Sequence, residues 1–249
     1  MKCANVDDLQ IRIFADGANL NDVRAMAADP RISGFTTNPT LMRAAGVADY
    51  RAFARSVLGI VGDRPVSFEV LADDFPTMEA EAREIASWGR NVYVKVPVTD
   101  TRGTSAAPLV ARLSRSGIKL NVTAVMTLDQ VGEMCAALAE AVPAIISVFA
   151  GRIADTGRDP VPHMLEALRL MRSRPRAELL WASPRELLNV FQADATGCHI
   201  ITVTPELLRK LELVGKDLGV YSRETVAMFH RDAVAANYAI PIASVEALS

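Results

Sequence analysis

Short apolar runs recur along the chain, separated by stretches in which apolar residues return every three or four positions. The short runs lie at residues 11–16, 32–36, 66–71, 92–96, 119–123, 144–149, 178–182 and 199–203. Rich in valine and isoleucine, they read as strands buried on both faces. The stretches between them read as helices covering those strands. In 78–88, for example, Met78, Ala82, Ile85 and Ala86 fall on one helical face. Thr127 with Gln130, and Ser183 with Glu186, match the capping-box pattern at two helix starts. After the eighth strand come helical patterns at 204–214 and at 222–238, the latter with Val226, Phe229, Ala233 and Val234 at helical spacing. Eight strand–helix repeats without a linker predict one α/β domain, a (β/α)8 TIM barrel with an extra C-terminal helix at about 222–238. No Gly-rich turn follows the first strand, which argues against an open dinucleotide-binding sheet.

Composition narrows the class further. The 249 residues carry a formal net charge of −2, which argues against a nucleic-acid surface. No apolar run has the length of a membrane span, and Met1-Lys2-Cys3-Ala4-Asn5-Val6-Asp7-Asp8 is too polar for a signal peptide. Cys3, Cys135 and Cys198 are odd in number and lack metal-type spacing, so they read as reduced thiols in a cytoplasmic protein. His163, His199 and His230 are isolated and read as ordinary surface or core residues, so no metal is expected.

The candidate chemistry comes from strand parity. In Val92-Tyr93-Val94-Lys95-Val96 the valines face one way and Tyr93 and Lys95 the other. If the valines pack under helices, Lys95 points into the barrel. The same count puts Arg12, Phe14 and Asp16 on one face of the first strand, Ser67 and Glu69 on one face of the third, and Lys119, Asn121 and Thr123 on one face of the fifth. On the sixth strand it groups Ser147 with Phe149. Asp16, Glu69, Lys95, Asn121, Thr123 and Ser147 thus converge on the C-terminal mouth, where barrels of this kind keep their active sites. Desolvation disfavours a charged amine, and a neutral amine attacks carbonyls to form a Schiff base. Cleaving the adjacent carbon–carbon bond then requires a group that takes and returns a hydroxyl proton, a duty suited to Asp16. Glu69 and Thr123 are placed to hold the water lost and regained at the carbonyl.

Arg152 follows the sixth strand, and Arg185 follows the seventh beside Ser183. Guanidinium forks and helix starts both bind phosphate. A plain ion pair with Asp155 or Glu186 is the competing use of either arginine.

Phe35-Thr36-Thr37-Asn38-Pro39-Thr40, Val94-Lys95-Val96-Pro97, Leu120-Asn121-Val122-Thr123 and Ser147-Val148-Phe149-Ala150-Gly151-Arg152-Ile153 resemble the signature segments of transaldolases and of the related fructose-6-phosphate aldolases. The resemblance runs in order from Asp16 to Arg185. It implies Lys95 as the Schiff-base lysine, Asp16 as proton-transfer carboxylate, and Glu69 and Thr123 on a catalytic water, with no metal or organic cofactor. It further implies Thr36, Asn38, Asn121 and Ser147 on the hydroxyls of a dihydroxyacetone unit, and Arg152, Ser183 and Arg185 on the phosphate of a sugar-phosphate substrate. Glu69 and Phe149 are the transaldolase choices where the aldolases carry glutamine and tyrosine. Pro184 departs from the aromatic residue usual between the serine and the arginine. Transfer of a dihydroxyacetone unit is therefore expected, with release of free dihydroxyacetone, or a barrel that only binds sugar phosphates, as alternatives. The resemblance to the compact bacterial group also implies a homo-oligomer, a pentamer or decamer built through the C-terminal helix, with neither nucleic acid nor membrane as partner.

Overall fold

The structure is a computed structural model and describes residues 5–241. The chain forms two compact units. The first, Asp7–Leu211, is a closed barrel of eight parallel strands taken in chain order. The second is made by the chain ends, of which residues 5–6 and 212–241 are described.

In the barrel unit the order is β1 (Arg12–Asp16), α1 (Leu20–Ala28), β2 (Ile32–Thr36), α2 (Pro39–Ala44), α3 (Tyr50–Val61), β3 (Val66–Glu69), α4 (Phe75–Ala86), β4 (Val92–Pro97), α5 (Ala107–Arg115) and β5 (Leu120–Val125). It continues with α6 (Leu128–Ala137), β6 (Ala144–Val148), α7 (Ala150–Asp155), α8 (Pro160–Met171), β7 (Ala177–Trp181), α9 (Leu188–Thr196), β8 (Ile200–Val203) and α10 (Pro205–Arg209). The eight expected strands are all present, each within two residues of its expected bounds.

Local chemistry explains the shifted boundaries. Asp74 accepts the Thr77 N–H and Pro76 sits in the first turn, so α4 begins at Phe75 and not at 78. The Thr127–Gln130 capping box forms as expected. The one expected at Ser183 and Glu186 does not. Ser183 has a left-handed φ of 60°, and the Asn189 side chain takes the N–H groups of Arg185 (2.7 Å) and Glu186 (3.1 Å) instead. The expected helix at 204–214 is α10 followed by a 3-10 turn, Lys210–Leu213.

Val92, Val94 and Val96 are buried on the outer face of β4, under the helices. On the inner face Phe14, Ile145, Leu180 and Ile200 are buried together with Tyr93 beside them, filling the lumen below the site. Fully burying one such side chain contributes about 2 kcal/mol. Gly34 on β2 makes room for this plug, since a Cβ there would meet the Phe14 ring at 2.5 Å. Cys135 and Cys198 are unpaired and buried, while Cys3 lies outside the described residues.

In the second unit α11 (Leu218–Ala235) starts four residues ahead of the expected 222, because Asp217 accepts the Val220 N–H as its cap. Its Val226, Phe229 and Val234 are exposed. Among the described residues no helix is long and apolar enough to cross a membrane.

Candidate active site

Register sets the height of each inward side chain. Glu69 pairs with Lys95 across β3 and β4, Lys95 with Asn121 across β4 and β5, and Asp16 with Thr36 across β1 and β2. Above Asn121 the mouth holds a cavity of about 580 Å³, lined by Asp16, Thr36, Asn38, Glu69, Lys95, Thr123, Ser147, Phe149, Arg152, Ser183 and Arg185 among others. All but one of the expected site residues, whether reached by strand parity, by position after a strand or by resemblance, line this one cavity.

The Lys95 side chain is buried, with Nζ donating to the Thr37 carbonyl at 3.0 Å and lying 3.2 Å from Glu69 Oε2. Asp16 Oδ1 accepts from Thr36 Oγ1 at 2.7 Å, and that hydroxyl also bonds Thr202 Oγ1. Burial pushes the Asp16 carboxyl above its ordinary value, against the opposing pull of the Lys95 charge and the Thr36 bond. Thr123 Oγ1 is buried without a protein hydrogen-bond partner among the described residues. A β-bulge sits beside it. Ala124 has φ 61°, and the β5–β6 register slips between Val122 and Val125.

Asn121 is the exception. It is fully buried below the lining, donating to Ser67 Oγ (3.0 Å) and accepting from Ser147 Oγ (2.6 Å), so here it holds Ser147 in place. Asn38 also divides its amide. Its Oδ1 caps α2 by accepting the Leu41 N–H at 3.0 Å. Arg12 and Lys119 share the inward parity but lie at the opposite mouth, Arg12 paired with Glu178 and Lys119 bonded to the Arg90 carbonyl.

The arginine side of the cavity is assembled from the start of α7 and the loop after β7, joined where the Gly151 N–H donates to the Ala182 carbonyl. The Arg152 guanidinium lies over the Phe149 ring, 5.3 Å from its centroid. Arg185 pairs through two bonds with Asp155 and donates Nη1 to Ser183 Oγ at 3.1 Å. The bonded guanidinium holds the Asp155 carboxyl below the usual carboxylate range. Gly151 allows the approach, since a Cβ there would fall 1.6 Å from the Ser183 carbonyl oxygen. Arg185 thus makes the ion pair with Asp155 named as the competing use, and it also lines the cavity.

Three contributors escape the sequence reading. Thr202 carries the same signal as its neighbours, a polar residue of inward parity at a strand end. The Thr37 carbonyl carries none, being backbone. Tyr50, on α3 outside the barrel, bonds the backbone of Glu69, and burial pushes its phenol pKa up.

A closed parallel barrel whose C-terminal mouth gathers a buried lysine, two carboxylates and two arginines defines an enzyme of the (β/α)8 class. The chain belongs to the transaldolase/fructose-6-phosphate aldolase family, whose model matches residues 13–240. A probable transaldolase of Dehalococcoides mccartyi is 32% identical over 202 residues, spanning 81% of this chain and 90% of the relative. One from a Roseiflexus species is 37% identical over 201 residues, spanning 80% of this chain and 88% of the relative. Among solved structures the fold is similar to orotidine 5'-monophosphate decarboxylase from Metallosphaera sedula, with a TM-score of 0.52 at 15% identity over 87% of this chain and all of that one (100%). It is also similar to KGPDC from Streptococcus mutans, with a TM-score of 0.53 at 9% identity over 78% of this chain and 88% of that one.

Proposed function

We propose that the protein is a transaldolase that moves a dihydroxyacetone unit between sugar phosphates through a Schiff base on Lys95. The observation that carries the reading is the setting of one amine. Lys95 Nζ is buried between the Thr37 carbonyl and the Glu69 carboxylate, in the cavity that also holds Asp16 and the two arginines. A neutral amine has two N–H bonds and one lone pair. With the hydrogens directed at Thr37 and Glu69, the lone pair is left for a ketose carbonyl.

Attack forms a carbinolamine, and loss of its hydroxyl as water gives the iminium. The carbon–carbon bond then breaks with its electrons drawn into the iminium, leaving an enamine. Asp16 takes the proton of the hydroxyl that becomes the departing aldehyde, and returns it when the enamine attacks the acceptor. A carboxyl raised by burial suits an exchange in both directions. Glu69 and the free Thr123 hydroxyl hold the water. Arg152, Ser183 and Arg185 bind the phosphate, which fixes the reacting carbons over Lys95.

Phe149 favours transfer over release, because its apolar ring neither holds a water nor supplies a proton to the enamine carbon. Reduction with borohydride in the presence of fructose 6-phosphate, followed by peptide mass analysis, tests the reading. An adduct on Lys95 alone is expected. Lys95→Ala and Lys95→Arg should both lose turnover and stay folded, since a guanidinium stays protonated and cannot act as the nucleophile. An adduct on another lysine would overturn the assignment. The cytoplasm and sugar-phosphate interconversion are the setting this reading implies.

A further inference from the structure

The carbonyl that holds Lys95 takes no backbone bond from β3, and a side chain outside the barrel stands in for that bond. β2 and β3 pair over Phe35–Val66 and Thr36–Ser67. At this edge the Phe35 N–H donates to the Pro65 carbonyl (2.9 Å) and the Thr37 N–H to the Ser67 carbonyl (3.3 Å). In a parallel ladder the next rung would run from the Glu69 N–H to the Thr37 carbonyl. That rung is absent. The Glu69 N–H donates to the Tyr50 hydroxyl at 2.8 Å, and the same hydroxyl donates to the Glu69 carbonyl at 2.9 Å. The Thr37 carbonyl accepts Lys95 Nζ.

The hydroxyl is held in place by packing. Tyr50 is the first residue of α3, behind the Asp49 cap. Its ring meets Phe68 edge-on at 6.2 Å and Trp88 at 5.5 Å between centroids, and Phe68 and Trp88 contact each other at 5.6 Å. Phe68 is on the outward parity of β3, so the three rings form a wedge behind Glu69. Such contacts fix the ring plane and hence the position of the oxygen.

We propose that Tyr50 is a positioning residue for the Lys95–Glu69 pair: its hydroxyl stands in for the absent β2–β3 rung, fixing Glu69 and leaving the Thr37 carbonyl to orient the amine. The proposal rests on the reading of Lys95 as the nucleophile. Without the hydroxyl, Glu69 has a buried N–H to satisfy, and ladder geometry offers it the Thr37 carbonyl. Lys95 then shares that carbonyl with a second donor, which shifts one of the two acceptors that direct its lone pair. The proposed phosphate contacts, on α7 and after β7, are left as they were.

The test compares the unmodified enzyme with Tyr50→Phe, which keeps the ring, and Trp88→Phe, which keeps the hydroxyl. Rates are divided by the amount of Lys95 that borohydride finally traps, so unfolded material does not count. Tyr50→Phe should lower kcat and the rate of trapping about tenfold each, on the scale of a sub-ångström misplacement. Its KM for fructose 6-phosphate should stay within about twofold. Trp88→Phe should melt at a lower temperature with kcat retained. If Tyr50→Phe does not fold, Tyr50→Met, which also lacks the hydroxyl, takes its place. Unchanged kcat per trapped site, whatever the melting temperature, overturns the proposal alone, as does a change confined to KM. No Lys95 adduct in the unmodified protein overturns the Schiff-base reading, and the proposal falls with it.

Discussion

Replacing Gly151 with alanine adds one methyl group where α7 meets the loop after β7, the proposed phosphate site. Gly151 does not lie in the left-handed region, so the backbone itself accepts the change. The obstacle is contact. The new Cβ would stand 1.6 Å from the Ser183 carbonyl oxygen and 2.6 Å from its carbon. Ordinary contact needs about 3.5 Å, so the loop after β7 must withdraw by roughly 1.5–2 Å. Overpacking of this kind costs about 1–3 kcal/mol of stability. The shift carries Ser183 and its hydrogen-bonded partner Arg185 away from Arg152, which stays with Gly151. Misplacing a positioning group by about 1 Å costs up to ~10²-fold. The KM for fructose 6-phosphate should therefore rise about 10–100-fold, or ~1.4–2.7 kcal/mol of lost binding. Steady-state transfer to erythrose 4-phosphate measures this. Borohydride trapping of Lys95 by dihydroxyacetone, which has no phosphate, supplies the control and should proceed at the unmodified rate. Equal losses with both ketones would refute the reasoning, since they would mean that the methyl disturbs the whole lumen. No loss with either would mean that Ser183 and Arg185 do not bind the phosphate.

Asp16→Asn should abolish transfer yet raise stability at neutral pH. The native carboxyl titrates above its unfolded value, so its charge opposes folding once both states are ionised, and the gain should vanish as pH falls below the ordinary carboxylate value of 3.8. Urea midpoints at several pH values measure this; a gain that persists in acid contradicts it. Phe149→Tyr should shift the fate of the three-carbon intermediate towards release, with Glu69→Gln adding to it, as read by free dihydroxyacetone formed per transfer event. Because α11 exposes Val226, Phe229 and Val234, the proposed homo-oligomer should appear in light scattering as a pentamer or decamer. A monomer at micromolar concentration would end that idea.

Alternation along the strands made most of the barrel and its mouth legible in the sequence, because a buried parallel strand tolerates polar residues only where they find partners. Parity gives the side of the sheet but not the depth along the barrel axis. Lys119 and Asn121 share a face, yet one lies at the far mouth and the other beneath the cavity floor, a difference set by register between strands. The left-handed turns at Ala124 and Ser183 carry no glycine to announce them. Ser183 and Glu186 have capping-box spacing, but Asn189 takes the Glu186 N–H, with that of Arg185, from within α9. Tyr50 acts across a strand end from a helix outside the barrel, a relation that exists only once the chain has folded.

The apolar plug beneath the site also governs the order of events. With Phe14, Tyr93, Ile145, Leu180 and Ile200 filling the lumen below Lys95, the lysine meets solvent through the C-terminal mouth. In the proposed reaction the first aldehyde must leave by the path the second one enters, and both require the same arginines. The kinetics should then be ping-pong, with each aldose phosphate a competitive inhibitor of the other's binding to the loaded enzyme. In such a cul-de-sac the two aldehydes compete for one doorway, so the more abundant of them captures the greater share of the loaded enzyme.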